Sequence, residues 1–212
     1  MPESIHSKVT VRNSGGVLLR KLLVIRIVHT PLDMGSMKDG LEREGVSKIG
    51  RQRWEDNQRK IEKFWEEVDQ EVDRLGLKLD EVRIYQDGLP CAGELGERIV
   101  RETADKGSKN YQIISRLMDR GAKIEATESP ELLRQEYSHI KAILEAKTEQ
   151  ERTDAGARYD LVKDRLMEDR DAFIGQTISS TLKDGETGLL FIGASHNVIP
   201  KISKDIEVKS LD

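Results

Sequence analysis

Leu22-Leu23-Val24-Ile25-Arg26-Ile27-Val28-His29 and Gly188-Leu189-Leu190-Phe191-Ile192-Gly193-Ala194-Ser195-His196 hold the two most apolar runs of the chain, and each closes on a histidine. Both runs are nearly continuous in their hydrophobicity instead of alternating, the pattern of a strand covered on both faces. Such strands belong to the interior of a parallel sheet, whose connections are helices.

Reading outward, strand and helix patterns take turns. Val82-Arg83-Ile84-Tyr85 and Ala122-Lys123-Ile124-Glu125-Ala126 read as further strands, and Ile206-Glu207-Val208 as an edge strand. Ile61, Phe64, Trp65, Val68, Val72 and Leu75 recur at spacings of three and four before Gly76, which predicts a long amphipathic helix over 51–75. Helices are also expected over 94–105 and 111–120, from Pro130 to 147, and over 155–183. Glycines at 35, 40, 45 and 50 make 30–50 read as a long loop with one short helix, able to act as a lid, and 147–156 reads as a helix-to-helix connection. The expected fold is α/β, a largely parallel central sheet of four to five strands flanked by long helices on its faces. It occupies 17–212 as a single domain behind a flexible arm, 1–16.

With 212 residues, 36% hydrophobic and 35% charged, the chain can bury a core and carry its charge on solvated helices. A net charge of −4 with the two signs interleaved offers no broad basic surface, so nucleic acid is not an expected partner. The longest apolar run is interrupted by Arg26 and too short to span a bilayer, and nothing before it reads as a signal peptide. No membrane association and a cytoplasmic location are therefore expected. Cys91 has no second cysteine to pair with and no basic neighbour within five positions, and reads as a loop thiol. Trp54, Phe64 and Trp65 on the helix 51–75 face a core or, alternatively, a second copy in a homodimer.

In a parallel sheet, the residues that follow each strand collect along one edge, where such folds bind ligands. That edge receives His29, Gln86 with Asp87, Glu128, and His196; the other two of four histidines, His6 and His139, read as surface residues. Imidazole and carboxylate together suit a divalent ion with an open position for water, and equally a metal-free base and acid. Plainer roles compete: Glu128 precedes Ser129-Pro130, a helix cap, and Asp87 precedes Gly88, a turn. Arg170 falls between Leu166 and Ile174 on the apolar stripe of the last long helix, so its guanidinium needs a carboxylate such as Glu128 or a bound anion. Asp33 lies within reach of the same edge, as a partner for an imidazole. The glycine spacing around 35–50 matches neither a dinucleotide fingerprint nor a phosphate loop.

Glu168-Asp169-Arg170-Asp171 through Ile178, then Lys183-Asp184-Gly185, then the strand ending Gly193-Ala194-Ser195-His196 resemble the C-terminal signature of the TraB/Tiki-like group of the erythromycin-esterase/ChaN-like superfamily. That signature is an acidic-Arg pair opening a helix, a turn, a strand and Gly-x-x-His. The first strand keeps the family's histidine as His29 but has Arg26 where the family has glycine, and Gln86-Asp87 stand where it has glutamate. The resemblance implies an α/β fold with a polar cleft of two histidines, acidic residues and an arginine. Its members include metal-dependent peptidases, esterases with a histidine-activated water and haem-binding proteins. The expected function is a metal-dependent hydrolase of an ester or amide in a small molecule or peptide. His29, His196 and Glu128 or Asp87 would hold Zn, Mn, Fe or Co, with Arg170 steadying the developing charge and Asp33 and Glu128 assisting. A metal-free hydrolase with a histidine base, and a haem or small-ligand binder without turnover, are the alternatives.

Overall fold

The computed structural model describes residues 19–211; the arm 1–16 and His6 lie outside the described residues. Five strands, β1 (Arg20–Ile27), β2 (Val82–Gln86), β3 (Lys123–Glu125), β4 (Thr187–Gly193) and β5 (Ile206–Leu211), form one sheet in the order β3-β2-β4-β1-β5. Every pairing is parallel. The two apolar runs are the adjacent strands β1 and β4, in register from Lys21 opposite Thr187 to Ile27 opposite Gly193.

Seven helices complete the described residues: α1 (Lys38–Ile49), α2 (Arg51–Arg74), α3 (Gly93–Asp105), α4 (Lys109–Asp119), α5 (Pro130–Leu144), α6 (Glu149–Asp160) and α7 (Lys163–Thr181). Two cores cover the two sheet faces. Ile25, Ile27, Ile84 and Phe191 meet Trp65 and Val72 of α2, Val100 of α3 and Ile114 of α4. On the other face Leu22, Val24, Tyr85 and Leu190 meet Ile174 and Ile178 of α7. Alternation along each strand sends neighbouring residues to opposite cores, which is why the strands read as apolar throughout.

The segment 30–50 is not a loop: a 3-10 turn (Pro31–Met37) leads into the twelve-residue α1. Two of its glycines, Gly40 and Gly45, serve close packing, whereas Gly35 and Gly50 take positive φ at turns. A Cβ on Gly45 would fall inside the Trp54 ring, and one on Gly40 would press on Leu144 of α5. The connection between α5 and α6 is likewise shorter than 147–156, because Thr148 and Glu151 form a reciprocal cap that starts α6 at Glu149. Trp65 of α2 is buried, Phe64 packs partly buried against the same core, and the partly buried Trp54 ring lies against Gly45 of α1.

Arg83 of β2 is buried between two carboxylates, bonded through Nη1 to Glu125 and through Nε to Glu186. Burial pushes the Glu186 carboxyl up, but Arg83 and the Lys183 amide outweigh it and hold the group below the usual glutamate range. A depressed pKa stabilises the fold above the unfolded value, about 4.3, and the gain is lost as pH falls toward the folded value. Glu186→Gln is therefore expected to be less stable than the unaltered chain at pH 7, with the gap closing below about pH 4. Urea midpoints across pH measure it, and a gap that stays constant would contradict the assignment.

Candidate functional site

Chain after β1 and β2 turns to the face of α2, α3 and α4, whereas chain after β4 turns to the face of α7, where Val198 and Ile202 join the second core. β4 is thus flanked on both sides by strands whose continuations leave in the other direction. The crevices at such reversals lack a covering helix and are where open α/β sheets bind ligands. His29, Asp87 and His196 follow the three strands that meet there.

Asp87 is the centre. Its Oδ2 lies 2.9 Å from His29 Nε2 and 3.4 Å from His196 Nε2, and accepts the Gly193 amide at 3.0 Å. Its Oδ1 accepts from Arg170 Nη2 at 3.0 Å. His196 Nδ1 lies 2.5 Å from Asp171 Oδ1, whose other oxygen accepts the Asn197 amide at 2.7 Å. The four side chains form one line, His29, Asp87, His196, Asp171. His29 alone reaches solvent, its side chain 32% exposed against 4% or less for the other three.

Arg170 serves the inner carboxylates. Its Nε donates to Glu128 Oε2 at 3.2 Å, its Nη2 also to Glu128 Oε1, and its Nη1 to Glu136 of α5. Counting Asp87, three carboxylates from the loops after β2 and β3 and from α5 converge on one guanidinium. The α7 stripe places it: Leu166, Arg170, Ile174 and Ile178 are buried one turn apart, while Phe173 stays 37% exposed. Arg170 lies well inside α7, not at a helix opening as the family signature has it. Gly175 lets α7 sit against the 3-10 turn (Ile199–Lys201) after His196, since a Cβ there would come within 2.8 Å of the Lys201 carbonyl oxygen.

Charges in this setting shift one another. Burial pulls both imidazoles down, but the Asp87 carboxylate outweighs it and leaves His29 and His196 above the ordinary histidine value, with Asp171 adding to the effect on His196. Burial pushes Asp87 up, yet its bonds to His196 and His29 hold it well below the usual carboxylate range. Burial and the nearby Asp87 charge raise Glu128 against the pull of Arg170.

The residues expected at the edge are therefore together: His29, His196, Asp87, Glu128 and Arg170. Asp33 is not bonded to an imidazole. Its carboxylate accepts the Thr30 amide at 2.6 Å and the Ser108 hydroxyl, closing the turn after His29 onto the start of α4. Arg170 has its donors committed to carboxylates, which makes it a holder of the site, and Glu128 lies under it with no side-chain exposure. Sequence reasoning gave no role to Asp171, although it stands next to Arg170 in the quoted motif, nor to Glu136 on α5. Asp87, Glu128 and His196 each place a ligand atom within 4.8 Å of the others, so this buried group can hold a metal ion. Among the described residues no helix is long and apolar enough to cross a membrane.

Arg170→Met is expected to leave Asp87, Glu128 and Glu136 without their shared cation and to destabilise the fold by about 3–5 kcal/mol. Urea unfolding reads this, and a loss under about 1 kcal/mol would show that the guanidinium is not what holds these carboxylates. Compared with family models, curated proteins and solved structures, the chain matches none, so its functional reading rests on this geometry.

Proposed function

We propose that the chain is a hydrolase of an ester or amide bond in which His29 is the general base. One observation carries the reading: of the four groups in the line from His29 to Asp171, only His29 is open to solvent, and its Nε2 is held by a buried carboxylate. With Nε2–H directed at Asp87, the lone pair of the imidazole lies on Nδ1, the atom left to take a proton from water. Asp87 sets that tautomer and stabilises the imidazolium formed as water attacks. The resemblance to a superfamily whose esterases use a histidine-activated water supports the same role.

A second reading, metal-assisted hydrolysis, is favoured by the closeness of Asp87, Glu128 and His196. The Nδ1 contact of His196 with Asp171, the usual outer support of a metal-binding histidine, makes Nε2, which faces Asp87, the ligating atom. One imidazole and two carboxylates suit Zn, Mn, Fe or Co, which would supply a bound water of lowered pKa. Arg170 weighs against this order of preference, because its guanidinium bridges two of the three ligands and already provides positive charge beside them.

His29→Ala is expected to lower hydrolysis of a panel of 4-nitrophenyl esters and peptide anilides by about 10²–10⁴-fold, with the fold intact because the ring is partly exposed. The main reading also expects that activity survives EDTA. Loss on chelation together with stoichiometric metal that His196→Ala removes would replace it with the metal reading. An unchanged rate in His29→Ala would end the general-base reading.

A further inference from the structure

A cavity of about 240 Å³ opens between α2, α1 and the turn that follows His29, beginning at Thr30. It is separate from the charged line described above and shares no residue with it. That volume is roughly eight waters' share of liquid, smaller than a drug-sized pocket and close to one large amino acid.

Its wall is apolar and aromatic. Trp54 and Trp65 contribute indoles, with Ile61 of α2 and Leu32 of the turn beside them. Trp65 is 1% exposed and its indole N–H, buried, has no acceptor among the described residues.

Both signs of charge also line the cavity. Lys38 of α1 and Lys109, the first residue of α4, supply ammonium groups, and Glu42 of α1 and Glu62 of α2 supply carboxylates. None of the four forms an ion pair among the described residues, although Lys48 on α1 pairs with Glu44, and Lys63 on α2 with Glu67. A purely anionic ligand would meet two unpaired carboxylates here, and a purely cationic one two unpaired ammonium groups. A ligand carrying one charge of each sign answers both, and the indoles call for an apolar body.

We propose that this cavity binds a small zwitterion with an aromatic or branched apolar side chain, a free amino acid of the phenylalanine type. Its carboxylate is met by Lys38 and Lys109, its ammonium by Glu42 and Glu62, and its side chain by Trp54, Trp65 and Ile61. The site is independent of the hydrolytic reading, since occupancy is measurable without turnover.

Trp54 and Trp65 are the only tryptophans of the chain, so the wall reports its own occupancy. The full chain is titrated with L-phenylalanine, 3-phenylpropanoate and phenethylamine, with tryptophan emission as readout. The expected result is a saturable change with L-phenylalanine and affinities at least about tenfold weaker for the two singly charged analogues. The double variant Lys38→Met, Lys109→Met is expected to weaken L-phenylalanine about tenfold without weakening phenethylamine. No saturation with L-phenylalanine, equal affinity for all three probes, or an unaffected double variant would each overturn the proposal. Both lysines are exposed, so the variant is not a test of folding.

Discussion

One guanidinium, that of Arg170, holds the candidate site at this sheet edge together. A buried arginine is tolerable only with its donors matched, and here Asp87, Glu128 and Glu136 arrive from three separate segments to match them. The pairing anchors α7 and α5 to the sheet edge and fixes the Asp87 carboxylate in the position where both histidines meet it. Asp171 adds a fourth carboxylate, which meets His196 instead of the guanidinium. Against the pull of burial, Asp87 raises the pKa of both His29 and His196, and the same surplus of negative charge is what a metal ion would satisfy. The two hydrolytic readings are two answers to the same electrostatic demand.

The strand order does the complementary work. Because β4 lies between β2 and β1, chain segments far apart in sequence end side by side, with Asp87 next to the Gly193 amide and His29 on the other side. Helices leave this edge toward opposite faces, so a gap persists where a continuous helical layer would otherwise cover it. The line from His29 inward to Asp171 follows from that gap: its outer end is wet and its inner end is sealed by α7.

Much of this was readable in the chain. Continuous apolar runs identified β1 and β4 as interior strands, and the stripe Leu166, Ile174 and Ile178 exposed Arg170 as a charge in the wrong place for solvent. Other features misled. Gly40 and Gly45 resembled loop residues, but each makes room for a large neighbour, a need visible only once Leu144 and Trp54 are in place. The cap of α6 was written plainly as Thr148 and Glu151, and the acidic, polar composition around it obscured the signal.

By itself the sequence determined the layer architecture and the residues delivered to one sheet edge, because hydrophobic period and strand ends are local properties of the chain. Only the tertiary structure decided which of those residues touch, that Asp171 and Glu136 join them, that Asp33 closes a turn and that His29 alone faces water. Strand order and helix placement set these distances through long-range packing, and no spacing along the chain encodes a contact of 2.9 Å between positions 29 and 87.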